Sequence, residues 1–168
     1  MSSRVELLLR QMDAAYQRAG WHGPTLRGAL RGVTAEQAAR RPTAGRHNIW
    51  ELAVHAAYWK YDVRRRLLGG KRGSFELAGS NWFTRPERGR ASAKAWKTDL
   101  ALLDREHRAL RTIVEELPDE ALDSRPAGSR STRERLIYGI VAHDVYHAGQ
   151  IQLVKALIRP RKRRRKKL

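Results

Sequence analysis

Cysteine is absent from this chain of 168 residues, and its absence excludes several kinds of site. The chain can form no disulfide, no cysteine-ligated zinc or iron–sulfur centre, and no cysteine nucleophile. Long apolar runs are also missing, and none approaches the roughly 20 residues of a membrane-spanning helix. Because charges interrupt the amino-terminal segment VELLLRQMDAAYQRAG, it lacks the apolar region of a secretory signal. We therefore expect a cytoplasmic protein with no membrane span.

Acidic residues are few compared with basic ones. The 35 lysines and arginines outnumber the 17 aspartates and glutamates, which gives a formal net charge of +18 at pH 7. Residues 159–168 (RPRKRRRKKL) contain eight of these cations and no acid, so the other 27 cations leave residues 1–158 at +10. We predict one domain over residues 1–158, followed by a basic tail over residues 159–168. Such a tail favours nonspecific contact with polyanions such as nucleic acids, without recognition of a base sequence.

The alternation that marks a β-strand is missing, and four segments instead repeat apolar residues every three or four positions. These predicted helices cover approximately residues 3–19, 48–68, 91–117 and 131–158. Three of them begin with a capping-box spacing, in which a small polar residue precedes a glutamate by three positions: Ser3 and Glu6, Asn48 and Glu51, and Ser131 and Glu134. The pattern predicts an all-α bundle.

The connections of this bundle are longer than tight turns. Residues 20–47 and 70–90 are long enough to cross the bundle or to fold over one of its ends. Residues 34–37 (TAEQ) predict a short helix within the first connection. The second connection contains Phe75, Trp82 and Phe83, which we expect to pack onto the helices.

Histidines occupy core-facing positions on two of the predicted helices. On the fourth helix the apolar stripe includes His143 and His147, whose four-residue spacing places both imidazoles on one face. On the second helix His55 lies on the apolar stripe. Three imidazoles from two helices could form a metal site with water in its remaining positions, or they could be buried histidines with hydrogen-bond partners. His107 on the third helix could be a fourth ligand, an outer group or a solvent-facing edge residue, and we favour the edge position.

Helical spacing gives further pocket candidates beside these histidines. Glu51 lies one turn before His55 and could accept its second N–H, although a capping role competes. Tyr146 and Gln150 each follow a candidate ligand by three residues and could line a pocket. Trp59 shares the stripe of His55, where either a core or a pocket role is open. His47 lies in a loop and carries little signal.

Four segments carry a resemblance to a known family: IWELAVHAAYWKY, SNWF, AWKTDL and IYGIVAHDVYHAGQIQLVK. They closely resemble the DinB-like (YfiT/DinB) family of metal-dependent enzymes, over nearly the whole chain up to about Ile158. The strongest motif is the H-x-x-x-H-x-G-Q-I run of residues 143–151. The resemblance implies a four-helix bundle in up-down-down-up order. It also implies a nickel or zinc ion held by His55, His143 and His147, with Trp82 as a pocket wall over the metal.

The resemblance also implies a chemistry. A divalent ion on three histidines would activate water or a low-molecular-weight thiol, so we expect a thiol transferase or hydrolase that acts on a small molecule. Because the chain has no cysteine, any thiol would come from a cofactor. Two alternatives stay open: a bundle that binds metal without catalysis, and a polyanion-associated protein that acts through its basic tail. We also consider a homodimer.

Overall fold

The computed structural model describes residues 3–17, 20–70, 73, 75–87 and 89–159. These residues form helices and no strand, which confirms the all-α prediction. The elements are α1 (Arg4–Tyr16), α2 (Leu26–Leu30), α3 (Ala35–Ala39), α4 (Ile49–Leu67), α5 (Ala93–Glu115), a 3-10 helix (Asp119–Asp123) and α6 (Arg133–Ile158). No described helix combines the length and apolar character needed to cross a bilayer. The predicted end of the first helix at Ala19 and the tail beyond Arg159 lie outside the described residues.

Helix starts follow the capping signals of the sequence, with one correction. Capping boxes begin α1 at Ser3, the short α3 at Thr34, and α4 at Asn48. The fourth long helix, α6, is capped by Thr132 and not by Ser131, because the Thr132 hydroxyl accepts the N–H of Arg135 at 3.2 Å. The backbone of Ser131 is instead held in a turn by the hydroxyl of Ser129.

Helix α4 is the central element of the described fold. Fifteen of its 19 residues are buried, and it packs against both α5 and α6. Helix α1 packs against the same two helices, and α2 covers part of α6. Ala53, Ala56 and Ala57 are fully buried on α4, and such small side chains allow neighbouring helices to approach closely.

The apolar core consists of two clusters with a polar layer between them. One cluster surrounds Trp50 and includes the C-terminal part of α6, and the other surrounds Leu110 and includes the N-terminal part of α6. The positions between the clusters on α5 and α6 are occupied by polar side chains: His107, His143, Asp144 and His147. The buried Lys60 and His55 of α4 complete this layer. The layer contains the candidate site.

The connection after α4 folds back onto the helices. Phe83 is buried, and Phe75 and Leu77 pack against the first cluster, in agreement with the prediction for this segment. Asn81 has a left-handed backbone with φ of 65°, a conformation that asparagine tolerates better than most residues. This turn places Asn81 and Trp82 directly beside His55.

Candidate metal centre

The three predicted histidines converge in the polar layer. The Nε2 atom of His143 lies 3.2 Å from Nε2 of His55 and 3.0 Å from Nε2 of His147. One ring nitrogen from each residue lies within 4.8 Å of the other two. Among the described residues, this is the group of histidines and acids with the geometry to share an ion. Helices α4 and α6 thus bring the predicted ligands together.

The spacing of these nitrogens fits a common divalent ion. Two nitrogens bound at about 2.1 Å to one ion, at an angle of about 90–109°, lie about 3.0–3.4 Å apart. The separations of 3.2 and 3.0 Å fall in that interval. Imidazole nitrogen is a favoured ligand for zinc and nickel. The donor set therefore fits a divalent metal.

Hydrogen bonds at the opposite ring nitrogens orient two of the imidazoles. Nδ1 of His55 lies 2.8 Å from the backbone oxygen of Asn81, and Nδ1 of His147 lies 2.7 Å from Oε1 of Gln150. Both partners are acceptors, so each Nδ1 must carry the proton and donate it. The Nε2 lone pairs of His55 and His147 are then free to face the centre. Nδ1 of His143 is buried and has no hydrogen-bond partner among the described residues.

Burial keeps the three imidazoles neutral near pH 7. It lowers the pKa of His143 to about 3, with further lowering from His147, His55 and Lys60. It lowers the pKa of His147 to about 4, with a contribution from His55. The pKa of His55 is also lowered by burial. A neutral imidazole has the lone pair that a metal requires, so the lowered pKa values of all three rings favour metal binding over protonation near pH 7.

Aromatic side chains surround His55. Trp82 stacks on the ring of His55 at a centroid distance of 3.8 Å, and His47 stacks on the same tryptophan at 3.6 Å. Trp59 approaches His55 edge-on at 6.2 Å, and its Nε1 donates to the side-chain oxygen of Asn81 at 3.0 Å. Trp59 and Trp82 therefore lie beside the three histidines. The local sequence pattern does not single out His47 or Asn81, although Asn81 belongs to the SNWF segment that resembles the family.

Tyr146 and Gln150 form the outer edge of the site on α6. The ring of Tyr146 lies 5.1 Å from that of His147 in an edge arrangement. Nε2 of Gln150 donates to the Tyr146 hydroxyl at 2.9 Å, while the Gln150 oxygen accepts from His147. One glutamine thus joins a candidate ligand to an exposed tyrosine.

Glu51 does not accept the second N–H of His55, and its capping role, the alternative that the sequence also offered, is the one that the structure shows. Its carboxylate pairs with Arg41 at 2.5 Å, lies 3.1 Å from Nδ1 of His47, and accepts the N–H of Asn48. Glu51 therefore contacts Arg41, His47 and the backbone at the start of α4, and Nδ1 of His55 lies beside the backbone oxygen of Asn81 instead.

His107 is not the solvent-facing edge residue that its pattern favoured. Its ring is 2% exposed and stacks on Tyr16 of α1 at a centroid distance of 3.6 Å. Burial, with the nearby charge of Lys60, lowers its pKa to about 2. The stripe on α5 could not reveal that α1 covers this position.

A buried ion pair beside the site was also missed. The Lys60 ammonium on α4 donates to Asp144 on α6, and both side chains are at most 3% exposed. Burial lowers the pKa of Lys60 and raises that of Asp144, while each charge offsets this effect on the other. Asp144 directly follows His143, so the pair joins α4 to α6 next to a candidate ligand.

A cavity of about 870 Å³ opens beside the three histidines. It runs between α4 and α6, and its lining combines apolar side chains with polar and charged ones, which include the three histidines, Gln150, Asp62 and several arginines. Asn81, Trp82 and Tyr146 also line it, whereas Glu51 does not. Pockets of this size and character bind small molecules.

The chain also matches a known protein family. A family model of the DinB superfamily matches residues 4–151, which include all three histidines. Searches of the curated proteins and of the solved structures give no significant match.

Proposed function

Because the chain belongs to the DinB superfamily, we propose that it is a divalent-metal-dependent enzyme whose ion is held by His55, His143 and His147. The convergence of the three Nε2 atoms carries this proposal. Nickel or zinc suits the all-imidazole donor set. The four long helices, α1, α4, α5 and α6, take the family's up-down-down-up order in this proposal.

The residues around the histidines have distinct tasks in this enzyme. When bound, the ion supplies Lewis acidity that lowers the pKa of a coordinated water or thiol. Asn81 and Gln150 hold the rings of His55 and His147 so that their lone pairs face the centre. Trp59 and Trp82 exclude water from one side of the site. The reaction is thiol transfer or hydrolysis on a small molecule, with any thiol supplied by a low-molecular-weight cofactor.

The adjoining cavity favours an enzyme over a bundle that only stores metal. A storage or structural site needs no space next to its ligands, whereas the cavity here can hold a small molecule against the three histidines. We further propose that residues 1–158 form one domain in a cytoplasmic protein that can form a homodimer.

Metal content and activity test this proposal together. Protein purified without a histidine tag should contain one divalent ion per chain and should react in a panel of thiol-transfer and hydrolysis assays. His147→Ala should lose both properties, because two remaining imidazoles bind an ion weakly. His107→Leu is the control and should keep both, since His107 is not one of the converging histidines. A requirement for His107 but not for His147 would overturn the assignment.

A second surface supports contact with polyanions. A groove of about 420 Å³ is lined by four cations and one acid: Arg31, Arg40, Lys155, Arg159 and Glu36. Arg159 begins the basic stretch RPRKRRRKKL, so the groove and the tail meet at this residue. We propose that both bind nucleic-acid phosphates without base recognition, in addition to the metal chemistry.

A further inference from the structure

We infer that the substrate is an elongated, mainly apolar molecule whose anionic group binds Arg135 and Arg66, about 12–16 Å along the helices from the histidines. This inference rests on the proposed metal-dependent function and adds a substrate class to it. It follows from the order of side chains along the cavity.

The cavity extends along an antiparallel pair of helices. His55 of α4 lies beside His147 of α6, and five residues further along α4 Lys60 pairs with Asp144, three residues earlier in α6. Moving toward the C-terminus of α4 therefore corresponds to moving toward the N-terminus of α6. The histidines lie partway along this groove, and one arm of it runs toward Arg66 and Arg135.

The middle of this arm is apolar. Trp59 and Val63 line it from α4, and Leu136 and Ile140 line it from α6. Three of these four side chains have no hydrogen-bonding group. The fourth, Trp59, has one N–H, which already donates to Asn81. This stretch favours a hydrocarbon or aromatic body.

The far end of the arm has an excess of positive charge. Asp62 is the one acid among the lining residues, and it pairs with both Arg65 and Arg66 at 2.6 Å. Two positively charged guanidinium groups thus pair with a single carboxylate, which leaves one net positive charge. Arg135 is exposed at the same end, and its guanidinium has no carboxylate partner among the described residues. A planar guanidinium binds a carboxylate or a phosphate with paired hydrogen bonds.

Helix geometry sets the length of the substrate. Arg135 precedes His143 by eight residues, which corresponds to about 12 Å along α6 at about 1.5 Å per residue. Arg66 follows His55 by eleven residues, or about 16 Å along α4. An anion at these arginines and a reactive group at the histidines must therefore be separated by an extended body.

A matched pair of thiol probes tests this inference on the full-length, cobalt-loaded protein. The probes are 10-mercaptodecanoate and its neutral analogue 10-mercaptodecanol, and the cobalt–thiolate absorption band reports their binding. We expect the carboxylate to bind about tenfold more tightly, which corresponds to about 1.4 kcal/mol. Arg135→Gln should abolish that preference. Arg130→Gln, an exposed arginine outside the cavity, should preserve it.

A second experiment without metal separates this inference from the proposed function. In the presence of a chelator, decanoate and decanol are titrated while the intrinsic tryptophan fluorescence is followed, to which Trp59 and Trp82 contribute from the cavity wall. A preference for decanoate that depends on Arg135, together with no cobalt–thiolate band, would overturn the metal function but support the anion site. Equal affinities for the charged and neutral probes in both experiments, with and without metal, would overturn the anion site. A preference that depends on Arg46, which lines the cavity from the loop before α4, and not on Arg135 would also overturn it.

Discussion

At the scale of single residues, the three candidate ligands differ in the environment of Nδ1, the ring nitrogen that faces away from the proposed metal. His55 donates to a backbone carbonyl, His147 donates to a side-chain amide, and Nδ1 of His143 has no partner among the described residues. A backbone acceptor cannot be removed by substitution, whereas the amide of Gln150 can. Gln150 is therefore the residue through which ring orientation can be tested.

Gln150→Leu should weaken metal binding by about 10- to 100-fold, the usual effect of removing a partner that orients a ligand. The leucine cannot accept the N–H of His147, so the ring loses its fixed orientation. Metal affinity is measured by competition with a chromophoric chelator. Gln150→Glu keeps an acceptor and should retain wild-type affinity or exceed it. Gln152→Leu, two residues further along α6, is the matched control, and an equal loss there would contradict the argument.

His107 should make stability depend on pH without any role in metal binding. Its pKa is about 2 in the folded protein and near 6.5 when unfolded, so only the unfolded state gains a proton as the pH falls below 6.5. The free energy of unfolding should therefore decrease with falling pH, by up to about 1.4 kcal/mol per pH unit from this residue. His107→Leu should reduce that slope between pH 6 and pH 4.5, as measured by urea unfolding with chelator present. An unchanged slope would show that His107 titrates normally.

At the scale of secondary-structure elements, the sequence predicts the convergence of the three candidate histidines better than it predicts the residues around them. Capping boxes and apolar periodicity are local signals, so α4 and α6 and the inward positions of their histidines follow from the sequence. The contact of Asn81 with His55 depends on how the connection after α4 folds, and no local pattern specifies that. Lys60 lies beside the main stripe of α4 and would face solvent on a half-buried helix. It is buried because α4 is covered on nearly all sides.

The pair of Lys60 and Asp144 should fix the packing of α4 on α6. Lys60→Met leaves a buried carboxylate without its cation and should destabilise the protein by about 3–5 kcal/mol. The double variant Lys60→Met/Asp144→Leu removes both charges and should recover most of that loss. Urea unfolding of the single and double variants measures the difference. If the double variant is no more stable than Lys60→Met, the cost comes from packing and not from the unpaired charge.

At the scale of the whole molecule, a positively charged groove lies at the C-terminal end of α6. The groove with Arg31, Arg40, Lys155 and Arg159 has one acid, and the sequence adds seven further cations after Arg159. The anion-binding arm of the cavity lies toward the other end of the same helix, at Arg135. A polyanion and a small anionic substrate can therefore bind to separate regions, so the two functions can be tested independently.

Deletion of residues 160–168 should separate these two functions. It removes seven cations and almost no apolar surface, so the melting temperature and the metal content should stay unchanged. Binding to a random-sequence DNA duplex should weaken, and the dependence of log K on log salt concentration should become shallower by up to about 6. Fluorescence anisotropy at several salt concentrations gives both quantities.

Arg31→Gln/Arg40→Gln in the full-length chain should cause a smaller change of slope, about one for each phosphate that is no longer bound. A lower melting temperature after the deletion would show that the tail stabilises the domain, and an unchanged salt dependence would show that it does not bind the DNA backbone.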